Sequence, residues 1–122
     1  MENTQIVFEL HSHDVTPPMG LGEYIREKLS SKLAKLGRRV REIEVHLKEI
    51  RASKGVDRAC HIEARLTGLE PVNVEERDPD LRAATDLAIE RTVEAVHRHL
   101  ARTAGKARRQ VRKLVIPAKA GV

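Results

Sequence analysis

The tightest constraint on the fold is an apolar period that switches back and forth along the chain. Ile43, Val45 and Leu47 alternate with Glu42, Glu44, His46 and Lys48. Successive strand side chains point to opposite faces, so residues 41–48 predict a strand with one buried side. Residues 5–11 alternate in the same way, with Ile6, Phe8 and Leu10 on one face. In residues 59–66, Cys60, Ile62, Ala64 and Leu66 oppose His61, Glu63 and Arg65. Beyond the break at Gly68 to Pro71, Val72 and Val74 mark a weaker fourth strand, whose proline start and charged end suit an edge position.

Between the first two strands the period lengthens. Leu21, Ile25, Leu29, Leu33 and Leu36 recur every three or four residues, which predicts a helix of about five turns with one apolar stripe. Thr16 is placed to cap its start, with Pro17 in the first turn and Gly37 at its end. Asp78-Pro79 opens a second helix, in which Leu81, Ala84, Ala88, Thr92, Ala95 or Val96, and Leu100 trace a stripe to about Thr103, ending near Gly105. The order is β-α-β-β-β-α. A crossover between the first two strands makes them parallel, and short turns make the other pairs antiparallel. With one apolar face per strand, both helices pack on the same side. The expected fold is therefore α+β: a two-layer α/β sandwich with a four-stranded mixed sheet, two helices on one face and the other face open.

A chain of 122 residues has room for one such domain, placed at residues 1–105, and a short basic tail, 106–122, expected to be mobile. No stretch approaches the roughly 20 apolar residues that span a bilayer. The N-terminus lacks a basic segment leading into an apolar run, so the expected location is cytoplasmic. Cys60 is the sole cysteine, which excludes an intramolecular disulfide and leaves a cysteine-based zinc site without ligands. His11 and His13 share a strand face that could hold a metal if Cys60 or His61 lay across from it. Without HExxH or paired cysteines, however, the six histidines read as solvated or hydrogen-bonded groups, and no metal site is expected. No glycine-rich phosphate loop, nucleophile elbow or acid-base constellation appears, so the chain reads as non-enzymatic, without cofactor or small-molecule substrate. Phe8 and Tyr24 both fall at core positions, which argues against a base-stacking reader of single strands.

Charge is unevenly spread. All 18 acids and 15 of the 23 Lys and Arg lie at or before Glu94, so that part is net −3; from Ala95 onward there are eight basic residues and no acid. A positive end on a near-neutral body predicts a polyanionic partner. Arg91 and Arg98 are seven apart and share a helix face, with Arg102 one turn beyond. Lys106, Arg108, Arg109, Arg112 and Lys113 could lie in an RNA groove. Val111, Leu114, Val115 and Ile116 could instead make that segment a short membrane-surface or partner-binding helix. Without an aromatic anchor, and with Pro117 cutting it short, RNA is favoured and no membrane partner is expected.

Several segments resemble the ribosome-associated inhibitor and hibernation-promoting factor family, also called sigma-54 modulation or ribosomal subunit interface proteins. Asp14-Val15-Thr16 looks like the family's V-x-x-T opening of helix one. Tyr24-Ile25, Lys28-Leu29 and Lys35-Leu36 look like its Y-V-x-x-K-L…K-L helix. Asp80-Leu81-Arg82-Ala83-Ala84-Thr85-Asp86 resembles D-M-Y-A-A-I-D at the start of helix two. The resemblance covers about residues 4–104. It implies binding to the small ribosomal subunit and its ribosomal RNA near the decoding channel, with translation blocked when growth stops. Lys28 and Lys35 match basic positions of helix one, with Lys32 beside them, and Arg91 and Arg98 match basic positions of helix two. Arg38 and Arg39 at the helix-one exit could extend the same patch. Arg82 stands where the family usually has an aromatic, Glu94 where a basic residue is common, and the chain is too short to hold the dimerisation domain of the long form. Two alternatives come from other classes: a general binder of double-stranded RNA or DNA, and a protein-interaction module using the open sheet face.

Overall fold

The computed structural model describes the backbone of residues 6–120 and the side chains of residues 6–103 apart from Ala52. The elements run β1 (Val7–His13), α1 (Leu21–Leu33), a 3-10 segment (Ala34–Arg39), β2 (Val40–Ala52), β3 (Gly55–Leu66), β4 (Val72–Asp78) and α2 (Leu81–Ala120). The strands lie in the order β1-β2-β3-β4. β1 pairs with β2 in parallel, and the β2–β3 and β3–β4 pairs are antiparallel. This is the α+β fold and mixed sheet that the alternating periods predict.

The register sorts the side chains by face. Phe8 pairs with Ile43 and Leu10 with Val45. Across the next pair, Ile43, Val45 and Leu47 meet Ala64, Ile62 and Cys60, and Val74 lies beside Ile62. These side chains join Leu21, Ile25, Leu29 and Leu33 of α1 and Leu81, Ala84, Ala88, Ile89 and Val96 of α2 in one core. Burying each large aliphatic side chain stabilises the fold by about 1.5–3 kcal/mol before conformational entropy is counted against it.

The boundaries differ from the sequence expectation in four places. α1 starts at Leu21 behind Gly20, whose left-handed backbone (φ 86°) turns the chain into the helix with no side-chain cap, so Thr16 does not serve as one. The predicted single helix tightens into a 3-10 turn at Ala34, and Gly37 leaves it at φ 54° and ψ −124°, a conformation open to glycine and strained for other residues. The β2–β3 ladder continues to the pair Ala52–Gly55, beyond residues 48 and 59 where the alternating patterns stop. A hairpin arm solvated on both faces needs backbone pairing but no apolar alternation, so its polar side chains hid it. Finally, α2 passes Gly105 and continues to Ala120. Good helix formers surround Gly105, and one helical glycine costs only about 1 kcal/mol.

At the other end of α2, Asp78 accepts the Asp80 N–H at 2.9 Å and closes a turn around Pro79, as the Asp-Pro pair suggests. Among the described residues no helix is long and apolar enough to cross a membrane.

Candidate nucleic-acid interface

Helices α1 and α2 cover one face of the sheet and turn their polar sides outward. Tyr24 sits where they meet. Its ring is half-buried against the core, and its phenol donates to the Asp86 carboxylate on α2 at 2.6 Å. Lys28 donates to the same phenolic oxygen at 3.1 Å. The Arg82 guanidinium lies over the ring, 3.9 Å from its centroid, and is paired with Asp86 at 3.5 Å one helical turn away. Lys28 and Lys32 line a shallow depression with Tyr24, Glu27 and Ser31. The sequence singled out Lys28 and Lys32 but treated Arg82 only as a departure. Nothing in linear spacing shows that α2 delivers Arg82 onto an α1 ring.

The other predicted cations spread around this centre. Lys35, Arg38 and Arg39 are exposed on the 3-10 segment. That segment is held from below by Thr67, whose hydroxyl donates to the Arg38 carbonyl at 2.6 Å and whose N–H donates to the Arg39 carbonyl at 2.9 Å. Arg91, Arg98 and Arg102 are exposed on α2. The side chains of Lys106, Arg108, Arg109, Arg112 and Lys113 lie outside the described residues, although their backbone continues α2.

Ion pairs engage a different set of cations. Among the described residues, the Lys and Arg paired with carboxylates are Arg26, Lys48, Arg51, Arg65, Arg77 and Arg82, none of them in the predicted RNA-binding set. The acids of the helices are partly spoken for: Glu23 is held by Arg26 at 2.7 Å and Asp86 by Tyr24 and Arg82. Glu27, Glu90 and Glu94 remain exposed among the cations.

The open sheet face has the opposite character. Glu42, Glu44 and Glu63 converge on one guanidinium, that of Arg65, at 3.9, 3.4 and 3.6 Å. Glu75 lies between Lys48 at 3.5 Å and Arg77 at 3.6 Å. Beside these acids the rings of His11 and His46 stack with centroids 4.7 Å apart. His13 lies on the other side of His46 at 5.5 Å, and His61 follows at 6.1 Å. Burial holds the His46 pKa below its ordinary value, the neighbouring histidines push the same way, and Glu44 opposes them. Cys60 lies on the core face, away from this row. The ring across from His11 is His46, a neighbour that the strand pattern alone does not give.

Residues 8–104 match the family described as Sigma 54 modulation protein / S30EA ribosomal protein. The chain belongs to that family. Among solved structures, it is similar to the N-terminal domain of Protein Y from Thermus thermophilus, at 26% identity and a TM-score of 0.63, covering 78% of this chain and 99% of that one. It is also similar in fold to a ribosomal subunit interface protein from Coxiella burnetii, at 15% identity and a TM-score of 0.60, covering 79% of this chain and 99% of that one. No curated protein matches the chain. The family match spans β1 to the middle of α2 and so includes both helix faces carrying the predicted cations.

Proposed function

We propose that the chain is a cytoplasmic, non-enzymatic translation inhibitor that binds the small ribosomal subunit and occupies its decoding channel. Lys28, Lys32, Lys35, Arg38, Arg39, Arg91, Arg98 and Arg102 contact ribosomal RNA, and the basic segment 106–122 adds to the contact. The observation that carries this reading is the division of charge between the two layers. The eight named cations of the helix side have no carboxylate partner among the described residues, unlike Arg26 and Arg82, whereas the acids of the open sheet face repel phosphate. A polyanion is therefore steered to the helices. Exposed Lys and Arg on helix faces follow phosphates without reading bases, as recognition of RNA by shape requires. Family membership supports a ribosomal partner. Inhibition follows by steric exclusion and needs no cofactor.

The test is co-sedimentation with ribosomes through sucrose at low and moderate salt. The chain is expected to travel with the small subunit and the intact ribosome and to be released as salt rises. Arg91→Glu with Arg98→Glu should weaken binding at least tenfold with the fold intact, because each reversal removes a phosphate contact and adds a repulsion. Removal of residues 106–122 should lower affinity and shallow the salt dependence. Equal binding to free RNA duplex would favour a general duplex binder, and a chain that stays at the top of the gradient at every salt concentration would overturn the ribosomal reading.

A further inference from the structure

The helix-side function leaves the histidine row of the open sheet face unused. Parallel pairing sets His11 of β1 directly beside His46 of β2, and Glu44 lies two residues back on the same strand and face. His11 Nε2 is 3.5 Å from Glu44 Oε2, and His46 Nε2 is 3.9 Å from Glu44 Oε1. One ligand atom from each of the three falls within 4.8 Å of the others. A tetrahedral zinc ion, about 2.0–2.1 Å from each ligand, holds its ligand atoms about 3.4 Å apart. Small side-chain rotations close that difference, and all three side chains retain solvent access.

We propose that His11, His46 and Glu44 bind a divalent zinc-class cation that clips β1 to β2 on the open face of the sheet. Two imidazoles and a carboxylate are donors that suit zinc, and solvent access leaves a fourth position for water. The hydrogen bonding around His46 fits this role. His13 Nε2 lies 3.3 Å from His46 Nδ1. When the Nδ1–H of His46 donates to His13, its proton is fixed on Nδ1 and the Nε2 lone pair faces Glu44. His13 is then a positioning residue of the kind that commonly orients metal-bound imidazoles. Arg65 holds Glu44 Oε1 at 3.4 Å, which leaves Oε2 turned to His11. The site lies on the sheet face opposite the helices and does not depend on the ribosomal reading.

The test uses the full chain stripped of metal and titrated with Zn²⁺ against a chromophoric chelator at neutral pH. One ion per chain is expected, with a raised Tm and shifted ring resonances of His11 and His46 in the unmodified protein. His11→Gln and His46→Gln should each weaken binding at least tenfold. His97→Gln, an exposed histidine on α2, should leave it unchanged. His13→Ala should weaken binding several-fold, and His13→Gln, whose amide oxygen can still accept from His46, should restore it. The ring resonances keep the test independent of how well any variant folds. Zinc that leaves those resonances unmoved, or binding that persists at wild-type strength in both ligand variants, overturns the proposal.

Discussion

The Tyr24 hydroxyl donates to the Asp86 carboxylate at 2.6 Å and so ties α1 to α2 across the outer surface of the helix layer. Below this bond the two helices meet through the core; above it, Arg82 caps the ring face at 3.9 Å. The contact joins a half-buried aromatic, an acid and two cations into one unit. It fixes the spacing of the helices that carry the proposed RNA-binding cations, so its loss should register in stability first and in ribosome affinity second.

Tyr24→Phe keeps the ring and removes the bond. It should cost about 1 kcal/mol, the usual net value of a hydrogen bond, because Asp86 is exposed and regains water. Arg82→Ala should destabilise the chain only mildly, because the cation over the ring is solvent-exposed. Urea denaturation of the two variants and the double variant closes a thermodynamic cycle, with an expected coupling of at least about 0.5 kcal/mol. Strict additivity would show that the Tyr24 hydroxyl and the Arg82 guanidinium act separately.

The legible part of this protein is the part written in apolar periods. Ile43, Val45 and Leu47 fall on the buried face of β2, and Leu21, Ile25, Leu29 and Leu33 fall on the buried stripe of α1, as their spacing predicts. What stayed hidden depends on contacts between elements distant in sequence or on the backbone alone. The Arg82–Tyr24 stack joins residues 58 positions apart in the chain, and the His11–His46 stack requires the parallel register. The long β2–β3 arm is held by backbone pairing, which side-chain pattern does not record. Helix α2 passes Gly105 because a single glycine is a weak stop signal within a run of good helix formers.

Thr92 lies on the apolar stripe of α2, fully buried, and its Oγ1 has no hydrogen-bond partner among the described residues. An unpaired buried hydroxyl costs about 1–3 kcal/mol, whereas an apolar group of the same shape carries no such penalty. Thr92→Val is therefore expected to raise stability by about 1 kcal/mol in urea or thermal denaturation. A loss instead would mean that the hydroxyl returns a bond to the preceding helical turn.

Cys60 reports on the tightness of the same core. Burial pushes its thiol up from an ordinary 9.0 to about 12, so the native side chain stays a neutral thiol across the physiological range. Only the thiolate attacks disulfide reagents. The native protein should therefore react slowly at pH 8 and far faster once unfolded in guanidinium. The same shift sets a sign for stability. Between pH 9 and 12 the folded chain keeps a proton that the unfolded chain releases. Stability should fall as pH rises through the unfolded value and level off near the folded one. The informative quantity is the difference between the wild type and Cys60→Ala. The wild type should lose more stability between about pH 9 and pH 10.5 than the alanine variant does. Parallel losses, together with rapid native thiol reactivity, would show that the β3 face of the core opens readily to solvent.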